Sequence, residues 1–216
     1  MKKNMDASEL KKSILLMQPT RPILCTTKNE DGSNHVAPFS WINPVSFDPP
    51  RVALALCSKP KKQQSLQNIE RTGEFVVNLP DANVVEKLVE TSYSTKCGEN
   101  KFQRSGFTGM TAQQVEAPVI GECRAHLECR VLQIIDAGDH DLIMADVVGA
   151  SYDEDAFRND LAINLKTYQP VIHLNHYCLE QSQVHLFLDS RHWEVVDVPY
   201  PANASECSQR TDCSDD

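Results

Sequence analysis

Two serines and three lysines crowd the stretch that follows the apolar run Val52–Cys57: Ser58, Lys59, Lys61, Lys62 and Ser65. Hydroxyls and ammonium groups at the end of a strand, just before a helix, make a cradle for an anion such as a phosphate. The free N–H groups and the positive end of the helix dipole favour negative charge there. Upstream, Asn34, Ala37, Pro38, Phe39, Ser40 and Trp41 combine polar and apolar groups within eight positions. Phe39 and Trp41 could cover the face of a flat ring, and Asn34 and Ser40 could read its polar edge. Cys57 and Asn68 flank the cradle on either side. A competing reading makes Phe39 and Trp41 core residues and the lysines a solvated turn.

Other chemistries find little support. No G-x-S-x-G, H-E-x-x-H or P-loop pattern occurs. His173 and His176 form the only close histidine pair, and without further ligands that spacing suits chelation poorly, so no metal site is expected. His140, in Gly138-Asp139-His140, is the one candidate catalytic group, since a near-neutral imidazole at a turn can serve a reacting ring beside it. The eight cysteines include no C-x-x-C pair and match no common zinc spacing, which favours plain thiols in a reducing cell.

The elements that must position these residues are short. A helix over Ser8 to Leu16 belongs to a lead-in of residues 1–20. Strands are expected at Arg21 to Thr27, Asn34 to Ile42, Val52 to Cys57 and Phe75 to Leu79, with Asp31-Gly32 turning the first hairpin. The continuous apolar character of Val52 to Cys57 predicts burial on both faces. Asn43 to Pro50 reads as a turn-rich bridge. A helix over Ser65 to Arg71 ends at Gly73, and Asp81 caps another that carries Val84, Val85, Leu88 and Val89. Thr91 to Thr111 reads as a long loop. Ala125 to Ile135 alternates as a half-buried strand and pairs with His140 to Ala150. Ala156 to Leu165 reads as helical, Pro170 to Tyr177 as short and mixed, and His185 to Leu188 and Trp193 to Val198 as further strands or an arm across a partner. The domain spans residues 21–200, and the acidic segment 201–216 reads as a disordered tail. The pattern predicts a mostly β fold, a mainly antiparallel barrel with helices outside. The βαβ alternation and G-x-G-x-x-G of a dinucleotide-binding fold are missing.

A net charge of −9 argues against nucleic acid as a partner, because counterion release needs a basic face. No apolar run approaches the ~20 residues of a membrane span, and Ile14 to Met17 is too short for a signal-peptide core, so a cytoplasmic protein is expected.

Several segments together resemble the flavin reductase-like family, with flavoredoxins as the nearest flavour. They are Thr26 and Asp31-Gly32 followed by Asn34 and Ala37-Pro38-Phe39-Ser40-Trp41, then Asp48-Pro49-Pro50, Ser65 with Asn68-Ile69, and Thr72 through Leu79. Lys101-Phe102, Ala125 with Glu128-Cys129, and Gly138-Asp139-His140 follow in the family's order, so that the resemblance covers roughly residues 22–150. It implies a six-stranded antiparallel Greek-key split barrel with flanking helices that binds FMN, as a homodimer with the flavin near the subunit interface. It also implies that residues 34–41 line the isoalloxazine and ribityl chain, while Cys57, Ser58, Lys59, Ser65 and Asn68 surround the phosphate. One departure is that Gln63 stands where many members carry a lysine. The activity implied is electron transfer through FMN to or from NAD(P)H or a redox protein such as ferredoxin. Alternatives are an NAD(P)H:flavin oxidoreductase that treats flavin as a diffusible substrate, and a flavin-binding module without turnover.

Overall fold

The computed structural model describes residues 2–93, 99–179 and 182–188. Seven strands form one antiparallel sheet: β1 (Ile23–Lys28), β2 (Asn34–Phe39), β3 (Ile42–Phe47), β4 (Pro50–Cys57), β5 (Glu74–Pro80), β8 (Cys123–Asp136) and β9 (His140–Tyr152), in the spatial order β2-β1-β5-β8-β9-β4-β3. Short pairs β6 (Gly109–Met110) with β7 (Val119–Ile120), and β10 (Ile172–Leu179) with β11 (Ser182–Leu188), lie outside that sheet. The mostly β class with outer helices is as expected, and the sheet has one strand more than the six anticipated.

Strands β2 and β3 occupy opposite edges of the sheet, yet only Ser40 and Trp41 separate them. Laid flat, seven strands would hold those edges about 29 Å apart, whereas the link can bridge only about 11 Å. The sheet must therefore curl until the end of β2 meets the start of β3. The core shows the same thing. Ile23 and Cys25 of β1, Phe75 and Val77 of β5, Cys129 of β8, Ile143 and Ala145 of β9, and Val52, Leu54 and Leu56 of β4 all enter one buried cluster. Helix α1 (Gln64–Thr72) adds Leu66 and Ile69 to it. Its apolar residues fall three apart, and Gly73 ends it in the left-handed region at φ 72°, donating its N–H to the Ile69 carbonyl.

Outside the barrel, α2 (Val85–Ser92) and α3 (Lys101–Ser105) cover β1 and β2 through Val84, Leu88 and Phe102 against Leu24 and Val36. The segment expected as a bare loop thus contains α3, capped by Asn100, whose side chain accepts from Phe102 N and Gln103 N. Val115, Ala117 and Val119 cover Val76 of β5. On β8, Glu128 is buried and accepts hydrogen bonds from Gln113 N at 2.9 Å and Gln114 N at 2.5 Å. His126 is buried too, so this strand begins covered on both faces rather than on one. Strand β4 shows the reverse correction. Val52, Leu54 and Leu56 are buried while Ala53, Ala55 and Cys57 are half-buried, because the barrel covers one face only.

Two further expectations change. Asn43 to Phe47, anticipated as a bridge, is most of edge strand β3, where Pro44 needs no N–H partner on its outer side. The stretch 156–165 is not helical. Only Ala156 is part of a 3-10 turn, Glu154–Ala156, and the strap that follows is tied down by side chains. Arg124 pairs with Asp153 and Asp155 and donates to the Thr167 carbonyl, and Asp81 accepts from Gln169 N. The helix expected at Ser8 to Leu16 is a 3-10 helix over Ala7–Met17. Trp193 to Val198 and the acidic tail lie outside the described residues. No helix among the described residues is long and apolar enough to cross a membrane.

Leu54 sits fully buried at the centre of the barrel, opposite Ile143. Leu54→Ala should cost roughly 3 kcal/mol in urea unfolding, with an unchanged denaturant slope. A loss under about 1 kcal/mol would show that the barrel interior relaxes around the gap.

Candidate functional site

The curled sheet brings β2, the end of β4, the start of α1 and the β8–β9 turn to one end of the barrel. Cross-strand pairs share a face, so β2 divides cleanly. His35, Ala37 and Phe39 lie opposite Thr27, Cys25 and Ile23 on the side of α1. Asn34, Val36 and Pro38 point the other way, opposite Lys28, Thr26 and Leu24. The Asn34 amide oxygen accepts from the Lys28 ammonium at 2.7 Å, and Phe39 packs on the barrel core.

On the α1 side a polar layer is fully engaged. Asn68 donates to Thr27 Oγ1 at 2.9 Å and to Asn29 Oδ1 at 3.0 Å, and accepts from Gln64 Nε2 at 3.1 Å. Asn68 therefore ties α1 to the β1–β2 hairpin rather than standing open. Ser65, also buried, has its hydroxyl 3.2 Å from His35 Nε2. Burial, with the Lys101 ammonium adding to it, pushes the His35 imidazole down to about 4. Lys101, half-buried on α3, is itself lowered by burial and by Arg104, and donates to the Thr91 carbonyl at 3.1 Å.

Between β4 and α1 the chain makes a closed loop. Gln63 N donates to the Cys57 carbonyl at 3.1 Å, and Cys57 N donates to Gln63 Oε1 at 3.0 Å. Gln63 thus pins the loop shut through its neutral amide. The Cys57 thiol donates to the Lys59 carbonyl at 3.2 Å. Ser58 Oγ is buried and has no hydrogen-bond partner, although such groups are nearly always satisfied. Helix α1 begins without a side-chain cap, so its first-turn N–H groups are unspent as well. An orphaned hydroxyl beside an uncapped helix start fits a phosphate group. The lysines are placed differently from expectation: Lys59 reaches Asp136 and the Gly138 carbonyl, and Lys62 pairs with Glu70.

Across the seam, Trp41 and His140 stack with ring centroids 4.7 Å apart and planes tilted by 33°. His140 Nδ1 lies 2.7 Å from Asp139 Oδ1. A proton on Nδ1 would bond that carboxylate and leave Nε2 as an acceptor. Cys57 is the cross-strand partner of His140, so the loop and the stacked pair share one strand end. Ser40 is half-buried beside Trp41 in the two-residue link.

Residues 17–174 match the flavin reductase like domain. The chain belongs to that family. It is 28% identical over 172 residues to a protein of Aquifex aeolicus, covering 78% of this chain and 88% of that one. Among solved structures, nitrilotriacetate monooxygenase component B from Bacillus cereus superposes with a TM-score of 0.77 at 20% identity, covering 92% of this chain and 99% of that one. Flavoredoxin of Desulfovibrio vulgaris does so with a TM-score of 0.71 at 20% identity, covering 94% and 100%. Membership makes this a flavin-linked oxidoreductase-family protein, with the split barrel as its fold.

Sequence reasoning missed His35, Gln63 and Lys101 as site residues. Strand alternation could have found the first, because a residue sharing a face with Ala37 must be His35 and not Asn34. Since His35 binds its proton less tightly folded than unfolded (about 4 against an ordinary ~6.5), the unfolded chain takes up more protons between those values. Stability should therefore fall as pH drops through that window, by roughly 3 kcal/mol at its full extent. Buried His126, also lowered by burial, adds to the fall. Urea midpoints at pH 7 and pH 4.5 should differ less in His35→Gln than in the parent. An equal difference in both would remove His35 as a source.

Proposed function

We propose that this protein binds FMN at the end of the barrel and passes electrons through it to or from NAD(P)H or a redox protein such as a ferredoxin. The observation that carries the reading is the buried, unpartnered Ser58 hydroxyl beside the uncapped start of α1. It supplies donors for one phosphate, which favours FMN over riboflavin. Cys57, Ser58 and Ser65 surround that end, and Ala37, Ser40 and Trp41 line the approach to the ring. His35 beneath Ser65 orients the hydroxyl, and His140 with Trp41 forms the wall nearest the solvent. A bound flavin supplies a ring that accepts and releases electrons at N5.

A second reading, flavin as a diffusible substrate of an NAD(P)H:flavin oxidoreductase, is favoured by one feature. Lys59 and Lys62 are engaged elsewhere and Gln63 is neutral, so the cradle holds its phosphate with few charges. Charge-assisted bonds are roughly twice as strong as neutral ones, and their shortage weakens retention.

Strand β3 presents an unpaired edge with Phe47 fully exposed, and Val45 and the adjoining Trp41 are about half exposed. Exposed apolar edges of this kind are covered in stable proteins, and a second copy of the chain is the occupant we propose. Phe47→Asp should convert a dimer to a monomer in sedimentation velocity, whereas a parent that is already monomeric would refute the dimer.

Titration of the flavin-free protein should show FMN bound at least ~10-fold more tightly than riboflavin, a difference of about 1.4 kcal/mol. Ser58→Val should erase most of that preference and leave riboflavin binding as it is. Equal affinity for FMN and riboflavin would refute the phosphate cradle, and no uptake of either would refute the flavin reading. Steady NAD(P)H oxidation that depends on added free FMN separates the second reading from the first.

A further inference from the structure

Lys59 lies in loop 57–63, and its ammonium is engaged on the turn between β8 and β9. It donates to the Gly138 carbonyl at 2.7 Å and pairs with Asp136 Oδ2 at 3.0 Å. Asp136 Oδ1 accepts in turn from Gly138 N at 2.9 Å, which fixes the turn between β8 and β9 at its narrowest point. That hydrogen bond and the Lys59 ammonium together hold the Asp136 carboxyl below its ordinary range. The backbone grips the same turn. Ser58 N donates to the Asp139 carbonyl at 2.9 Å and Lys59 N to the same oxygen at 3.2 Å. The next residue is His140, stacked on Trp41, whose own carbonyl accepts from Ala55 N at 2.9 Å.

We propose that Lys59 is a positioning residue for His140: its ammonium straps the β8–β9 turn to the β4–α1 loop and thereby fixes the imidazole against the Trp41 indole. The ammonium suits this task because it carries three donors on a flexible stem and can serve a carbonyl and a carboxylate at once. Gly138, at φ 116°, allows the turn to present its carbonyl to the lysine. The other charged groups around the imidazole are Asp139, bonded to it, and Asp141, which interacts with Lys62 on the loop side. An exposed Lys–Asp pair adds little to global stability, so the strap acts on geometry at the seam rather than on the fold. It also couples the two halves of the site, because the loop that holds Ser58 is the loop that holds the turn.

The inference uses the flavin reading only to say why the place of His140 matters, and its test needs no flavin. Trp41 emission is measured in the flavin-free protein in a Trp193→Phe background, since the chain has two tryptophans. His140→Ala defines the emission of an unstacked indole. Lys59→Met should move emission most of the way to that value, with its melting temperature close to that of the parent. Lys59→Arg should keep the parent emission, and Asp136→Asn should shift it in the same direction as Lys59→Met. Combining Lys59→Met with His140→Ala should add nothing to His140→Ala alone, as expected when one residue acts through the other. Parent-like emission in Lys59→Met would overturn the proposal. A Lys59→Met shift that persists undiminished in the His140→Ala background would overturn it as well.

Discussion

The two-residue link between β2 and β3 governs the rest of this structure. Strands at opposite edges of a seven-stranded sheet cannot be joined by Ser40 and Trp41 unless the sheet rolls up. Rolling encloses the apolar residues of five strands in one core and leaves a seam crossed by covalent bonds instead of a hydrogen-bond ladder. Helix α1 fills the open end from within, which is why Leu66 and Ile69 are as buried as any strand residue. A closed ladder would have left no space for polar groups at that end. The seam provides it.

That opening explains the distribution of polar chemistry. The face of β2 turned toward α1 carries His35, and α1 answers with Ser65 and Asn68. These contacts lie deep enough to suppress protonation of the imidazole. Nearer the solvent, Trp41 leaves the seam and meets His140, delivered by the longest hairpin among the described residues. Loop 57–63 lies between the two and is closed on itself by Gln63. Buried cysteines take no part. Burial pushes the Cys25 and Cys123 thiols far up and Cys129 to about 12, so these groups behave as small apolar side chains. Cys57, half-buried in the loop, is the exception in placement.

Local signals were legible in the sequence and distant partnerships were not. Asp31-Gly32 turned the first hairpin and Gly73 stopped α1, because each effect is complete within a few residues, whereas Asp81 caps only the 3-10 turn Ala82–Val84 and leaves α2 to start at Val84 without a side-chain cap. Strand β3 was hidden because Asn43 and Pro44 favour turns in isolation, and only an edge position lets them extend. Residues 156–165 have helix-compatible composition, but Arg124 and Asp81 hold their surroundings in a strap from far away in sequence. Within the site, Ser58, Ser65 and Trp41 could be nominated from their types and from the resemblance. The orientation of Lys59 could not, because its partner Asp136 stands 77 residues away. Asn34 and His35 illustrate the finer limit. Both are polar and adjacent, strand alternation puts them on opposite faces, and the pairing register shows that the face of His35 and Ala37 is the one turned to α1.

The resting place of a flavin phosphate decides whether loop 57–63 is a cradle or only a closed turn. A crystal structure of the protein soaked with FMN is the most direct test. The phosphate should lie within hydrogen-bond distance of Ser58 Oγ and the first-turn N–H groups of α1, with Lys59 still on Asp136 and Gly138. A phosphate bound elsewhere, with Ser58 Oγ still unpartnered, would contradict it.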